Sequence, residues 1–104
     1  MNNLINKTKI LDAIFICAKE LNKQLPENAK LICKKSTVII GNNSVLDSLG
    51  IVTLIVSVEE HFNKLGVYPK MMKMIDYQFN EEHPFSTMGS MADWIQQQTL
   101  TSSK

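Results

Sequence analysis

The sequence contains no arginine, and this absence limits what the chain can bind. Arginine supplies the planar, five-donor group that makes paired hydrogen bonds to phosphate oxygens and to guanine. Eleven lysines against ten acidic residues leave a net charge of only +1, so the composition offers no basic excess in its place. We therefore do not expect this protein to bind nucleic acid.

Cysteine is also scarce. The two cysteines, Cys17 and Cys33, do not form a CxxC pair and have no histidine near them in the sequence. This spacing suggests neither a zinc site nor a redox motif. We expect both to be buried free thiols, and we predict no metal site.

No apolar run is long enough to cross a membrane. The most apolar stretch of the N-terminal region, Ala13–Ala18, is far shorter than the roughly 20 residues that a membrane-spanning helix needs. The N-terminus also lacks the basic, apolar and small-residue succession of a secretory signal. The expected location is the cytoplasm.

The remaining composition is that of an ordinary globular domain. Hydrophobic residues make up 44% and charged residues 20% of 104 residues, enough for one modest core. The net charge is +4 over residues 1–46, −2 over residues 47–64 and −1 over residues 65–104. We predict a single domain over residues 1–98 and a flexible C-terminal tail over residues 99–104.

Apolar residues at helical spacing predict a first helix over about residues 4–24, ended by Pro26. Its stripe is formed by Ile10, Ile14, Cys17 and Leu21.

The stretch from Leu25 to Leu46 contains proline, glycine and Asn42-Asn43-Ser44, which predicts a long connection. Its β-branched residues Thr37-Val38-Ile39-Ile40 could form a strand. We favour a loop held down by Val38 and Ile40, because no other segment offers a strand partner.

A second helix is predicted from Leu49 to Leu65, with Asp47 or Ser48 as its N-cap and Gly66 as its stop. A short third helix is predicted over Met71–Phe79, with Met71, Ile75 and Phe79 on one face.

Thr87 is a suitable N-cap for a last helix, and Phe85 could pack back on that helix as a hydrophobic staple. The inward face is formed by Met88, Met91, Ala92 and Ile95. The predicted fold class is all-α: a small four-helix bundle, with three main helices, one short helix, and a long loop between helices one and two.

Ser48 lies where the turn-rich loop meets the second helix. A helix N-terminus presents unpaired amides and a partial positive charge, which would favour a phosphodiester on the serine oxygen. The simpler interpretation of Asp47 and Ser48 is that one of them merely caps the helix.

The segment from Leu46 to Phe62, which includes Asp47-Ser48-Leu49, an apolar helix and then Glu59-Glu60-His61-Phe62, resembles the attachment region of acyl carrier proteins. The segment from Pro84 to Ile95 resembles the entry to that family's last helix. With helix one, the resemblance covers nearly the whole chain.

The resemblance implies a non-catalytic carrier. Ser48 would bear a 4′-phosphopantetheine arm derived from coenzyme A, and Asp47 would help the phosphopantetheinyl transferase recognise the site. The thiol of the arm, and neither cysteine of the chain, would hold an acyl group as a thioester.

The resemblance also implies contacts along helix two. The positions that partner enzymes would read are Leu49, Val52, Thr53, Val56, Glu59 and Glu60. The inward positions that would line a space for the acyl chain are Leu54, Ile55, Val58 and Phe62. Val52 and Val56 could equally be core, and the two glutamates could belong to a solvated helix face. The expected partners are the transferase and a loading ligase, synthase or acyltransferase, with the carrier itself a monomer.

Several departures from the family leave the cargo open. The chain is nearly neutral, has Gly50 and Thr53 where many fatty-acid carriers have acids, and has Val45 where a glycine is common. Asp-Ser-Leu-Gly is also similar to D-alanyl carrier proteins. We therefore expect an acyl group of a specialised lipid, polyketide or cell-envelope pathway, or alternatively an aminoacyl or peptidyl group.

Two other classes compete with a carrier. A serine hydrolase would need a base near Ser48, but His61 lies about 20 Å further along the helix, His83 is the only other histidine, and the GxSxG motif is absent. A helical protein-interaction module could use Met71, Met72 and Met74 as an adaptable apolar surface.

Overall fold

The computed structural model describes residues 6–102, with side chains to residue 98, and consists of helices and their connections. The three α-helices are α1 (Lys7–Asn22), α2 (Ser48–Lys64) and α3 (Met88–Ser102), and α1 packs against both of the others. A 3₁₀ helix, Met71–Asp76, packs against α2. The prediction of an all-α fold, with three main helices, one short helix and a long loop after the first, is confirmed.

The first helix starts later and ends earlier than predicted. Asn6 has extended backbone (φ −116°, ψ 173°), and its side-chain oxygen accepts a hydrogen bond from the amide of Lys9 at 2.9 Å. This cap fixes the start of α1 at Lys7, and residues 4 and 5 lie outside the described part of the chain. The helix ends at Asn22, before Pro26 is reached. The predicted apolar stripe is buried as expected.

The first connection, residues 23–47, is a loop with a three-residue 3₁₀ turn at Glu27–Ala29. Within residues 6–102 its β-branched stretch forms no strand, only one isolated antiparallel bridge between Val38 and Thr87. The amides of Ile39 and Ile40 both donate to the carbonyl of Ser86, at 2.7 and 3.2 Å.

The loop prediction holds, and of its two predicted anchors Ile40 is confirmed and Val38 is not. Ile39 and Ile40 are both fully buried, whereas Val38 is only half-buried. The irregular backbone turns two consecutive side chains inward, so the alternation expected of an extended chain does not apply. The segment just before α3 lies alongside this stretch and supplies Thr87 as a bridge partner, which the sequence did not lead us to expect.

The short helix is of the 3₁₀ type and ends at Asp76, three residues before the predicted end. A 3₁₀ helix has three residues per turn, so positions i and i+3 share a face. Met71 and Met74 are therefore the buried pair, while Ile75 and Phe79 are half-buried. The predicted face with a spacing of four residues is therefore confirmed for Met71 and only in part for Ile75 and Phe79.

The last helix has the predicted cap. The Thr87 hydroxyl accepts from the amide of Ser90, and the Ser90 hydroxyl accepts from the amide of Thr87, both at 3.0 Å. Phe85 just before the cap is fully buried, as are all four predicted inward residues of α3. The backbone of α3 continues to Ser102; residues 103–104 lie outside the described residues, and the flexible tail over 99–104 stays a prediction.

Within residues 6–102, no helix combines the length and the apolar character that crossing a membrane requires.

Candidate functional site

Ser48 is the first residue of α2, and it is exposed. Asp47 precedes it with extended backbone (φ −88°, ψ −176°), and its Oδ1 accepts a hydrogen bond from the amide of Gly50 at 2.8 Å. Asp47 is therefore the N-cap, which resolves the choice between the two residues. Within the described part of the chain, the Ser48 hydroxyl has no hydrogen-bond partner, so it is not needed to hold the helix.

The electrostatics at this point favour a negative group. The aligned peptide dipoles of a helix place a partial positive charge at its N-terminus, where the first amides lack intrahelical acceptors. In α2 the first backbone bond runs from the amide of Ile51 to the carbonyl of Asp47 at 2.9 Å. A phosphate attached to the Ser48 oxygen would lie in this field, although the carboxylate of Asp47 already occupies one amide.

The six predicted partner-contact positions lie on the outward side of α2. Leu49 leaves 74% of its surface exposed. Val52, Thr53 and Val56 are half-buried, and the Thr53 hydroxyl donates to the carbonyl of Leu49 at 2.8 Å.

The two glutamates of α2 differ. Glu60 is exposed, whereas Glu59 is half-buried, and its Oε1 has neither solvent contact nor a hydrogen-bond partner. A buried carboxylate oxygen without a donor is costly to the fold.

The four predicted acyl-pocket residues form part of the central core. Leu54, Ile55, Val58 and Phe62 have at most 1% of their surface exposed. They line the inward face of α2, as expected, and their packing is that of ordinary core side chains. An acyl pocket among them stays a prediction.

Sequence reasoning missed an open apolar groove in the first connection. Its volume is about 190 Å³, and its lining comprises Lys30, Leu31, Ile32, Lys34, Thr37, Val38, Asn43 and Val45. Ile32 and Val45 are 66% and 45% exposed. Isolated apolar residues in a loop give no periodic signal, so only the fold could bring them together.

The two thiols differ in accessibility. Burial, with a smaller contribution from the charge of Glu20, raises the pKa of the Cys17 thiol to about 11. Such a thiol is almost entirely protonated near neutral pH and is a poor nucleophile. Cys33 is half-buried, with its sulfur 3.8 Å from the carbonyl oxygen of Phe15. The prediction of buried thiols is therefore confirmed for Cys17 and only in part for Cys33.

Neither histidine is placed to activate Ser48. His61 is thirteen residues further along α2, about 20 Å at the usual helical rise. His83 is buried; its Nδ1 accepts from the amide of Phe85 and its Nε2 lies 2.9 Å from the carbonyl oxygen of Met74. Both ring nitrogens are thus engaged with the backbone, and Nε2 carries the proton.

Across residues 6–102, no group of three or more histidine, cysteine, aspartate or glutamate side chains is arranged to hold a metal ion.

Comparison with known proteins gives no relatives: no family model, no curated protein and no solved structure matches this chain.

Proposed function

We propose that this protein is an acyl carrier protein whose Ser48 bears a 4′-phosphopantetheine arm. The observation that carries the proposal is the placement of Ser48: an exposed serine with an unengaged hydroxyl, at the first position of α2, next to an aspartate that caps the helix instead. An attached arm would disturb no contact of the fold. The likeness of residues 46–62 and 84–95 to the carrier family supports the same conclusion.

The proposal includes a cytoplasmic, monomeric carrier that serves a phosphopantetheinyl transferase and a loading ligase, synthase or acyltransferase. The exposed Leu49, the half-buried Val52 and the acidic pair Glu59 and Glu60 form the surface that these enzymes would contact. The cargo is an acyl group of a specialised lipid, polyketide or cell-envelope pathway, or alternatively a D-alanyl-like or peptidyl group.

A plain protein-interaction module is less well supported. It would use the three methionines near residue 72, yet Met71 and Met74 are buried in the core and only Met72 is exposed. A serine hydrolase is also less well supported, because His61 lies about 20 Å from Ser48 along α2 and the ring nitrogens of His83 are occupied by backbone groups.

The test is covalent loading. The purified protein is incubated with coenzyme A and a broad-specificity phosphopantetheinyl transferase, and its intact mass is measured. We expect the wild type to gain one phosphopantetheinyl group and Ser48→Ala to gain none. Ser57→Ala, a half-buried serine on the same helix, is the matched control and should load like the wild type. No gain in the wild type would rule out the carrier role.

A pair of substitutions at Asp47 separates recognition from capping. Asparagine caps a helix about as well as aspartate, so Asp47→Asn should keep the stability within a few tenths of a kcal/mol while slowing loading. Asp47→Ala should slow loading and also lower the free energy of unfolding by about 1 kcal/mol. If Asp47→Asn is loaded at the normal rate, the transferase does not recognise the charge of Asp47.

A further inference from the structure

The apolar groove of the first connection is formed by two loop segments that face each other. Residues 30–38 supply one wall, and Asn43 and Val45 supply the other. Ile32, Val38 and Val45 give the groove its apolar character, and its mouth is open to solvent.

Hydrogen bonds fix the first wall in place. The Asn22 side chain at the end of α1 accepts from the amide of Leu31 at 2.7 Å and donates to the Leu31 carbonyl at 2.9 Å. The Lys30 ammonium donates to the carbonyls of Asn22 and Leu25, at 2.6 and 2.9 Å. The Thr37 hydroxyl donates to the carbonyl of Ile32.

The second wall is fixed by Ser44. Its hydroxyl donates to the carbonyl of Ile39 at 2.6 Å and accepts from the amide of Leu46 at 3.0 Å. Both walls are therefore held before any ligand arrives, as in most small-molecule sites.

The groove lies within reach of Ser48. Val45 precedes Ser48 by three residues, so their Cα atoms are at most about 11 Å apart, even in a fully extended chain. A group tethered to Ser48 by a flexible arm is present at the groove at an effective concentration of about millimolar. At this effective concentration, a groove that binds the acyl group only weakly would still be occupied.

The volume indicates how long an apolar segment the groove can cover. An apolar cavity of about 150 Å³ holds a benzene molecule. The groove, at about 190 Å³, is slightly larger. It would therefore accept a chain of about six to eight carbons. The ammonium of Lys30 is bound to the backbone carbonyls of Asn22 and Leu25. Lys34 also belongs to the lining, but it is exposed, and its long side chain can keep its charge in solvent at the mouth of the groove.

We propose that this groove receives the carried acyl group, an apolar chain of about six to eight carbons, when the arm on Ser48 folds back. This inference rests on the proposed carrier function and specifies the class of its cargo. The inward residues of α2 then remain core, and the chain lies against the first connection instead.

The experiment compares two loaded forms. The transferase is given coenzyme A or octanoyl-coenzyme A, complete loading is verified by intact mass, and backbone amide resonances are recorded by NMR. We expect the octanoyl form to differ from the other at Ile32, Val38 and Val45. Differences confined to Leu54, Ile55 and Val58 would place the chain in the helical core and overturn the inference, as would no difference beyond Ser48 and its neighbours.

A matched pair of variants tests the groove itself. Val45→Glu places a carboxylate at an exposed groove position, and it should lower occupancy by about tenfold, abolishing the differences at Ile32 and Val38. Leu65→Glu introduces the same charge at an exposed apolar position after α2 and should leave the differences unchanged. Urea unfolding of both variants verifies that they fold.

The outcomes separate the two proposals. Failure of the wild type to gain mass with either coenzyme would overturn the carrier function and this inference together. Complete loading without differences in the amide resonances of the groove residues would overturn only the inference about the groove. Octanoyl-dependent differences that survive Val45→Glu would also overturn it.

Discussion

The connection between α1 and α2 (residues 23–47) and the connection between α2 and α3 (residues 65–87) differ in how they place their apolar side chains. The second connection buries Met71, Met74 and Phe85 in the core. The first buries Leu31, Ile39, Ile40 and Leu46, and it leaves Ile32 and Val45 exposed around a groove.

The two connections also differ in what holds them. In the second, the His83 ring lies among Tyr77, Phe79 and Phe85, with centroid distances of 5.3 to 5.9 Å, and Phe85 makes an edge contact with Trp94 at 5.0 Å. The first combines buried aliphatic side chains with polar side chains that bond to backbone groups. The comparison teaches that packed aromatic rings distinguish the second connection, whereas hydrogen bonds from polar side chains shape the first and hold Ile32 and Val45 exposed beside its groove.

The largest expected effect is in the second connection. Phe85→Ala removes a fully buried aromatic side chain packed on His83 and Trp94. We expect the free energy of unfolding to fall by about 3–5 kcal/mol, measured by urea denaturation. Tyr68→Ala, at a 64% exposed position of the same connection, should change it by less than about 0.5 kcal/mol. Similar losses for the two variants would contradict the packing account.

A smaller effect is expected in the first connection. Asn22→Ala leaves the amide and the carbonyl of Leu31 without their partner, and should cost about 1–3 kcal/mol. Asn28→Ala, at an exposed position of the same connection, is the control and should be near neutral. Hydrogen exchange at Leu31 should rise in Asn22→Ala only. If Asn22→Ala lowered the free energy of unfolding as much as Phe85→Ala does, the proposed difference between the two connections would be contradicted.

The smallest effect concerns the contact between the connections. The Glu81 carboxylate accepts from the amide of Asn42 at 2.9 Å, and this bond, followed by one from its own amide, lowers the pKa of Glu81. The folded state therefore gains stability above the unfolded pKa of about 4.3, and loses it as the pH falls through the lower folded value.

Glu81→Gln removes this titration. The variant should be slightly less stable than the wild type at pH 7, and the difference should vanish under acid conditions, as followed by urea denaturation across pH. Glu82→Gln, whose side chain lacks the bond to Asn42, serves as the control. An equal pH dependence in the two variants would show that the Asn42 contact does not stabilise the fold.

Local patterns predicted much of this molecule. The buried stripe of α1, the stop of α2 near Gly66 and the Thr87 cap each depend on residues within a few positions of one another, so the sequence contains the information. The conformation of the short helix and the anchoring of Ile39 could not be predicted in this way. Both depend on contacts with distant segments, namely α2 and the Ser86 carbonyl.

The candidate site divides in the same manner. The sequence predicted a helix start at Asp47 and Ser48 because a cap and the apolar residues that follow specify it. The roles proposed for these two residues came from the resemblance to acyl carrier proteins. Only the tertiary structure decided which of the two residues caps the helix. It also decided which apolar residues of the first connection remain exposed and how they form a groove. Those features arise where Asn22, Ser44 and Ser86 bind the backbone of the loop, and such bonds between separated segments leave no periodic pattern in the sequence.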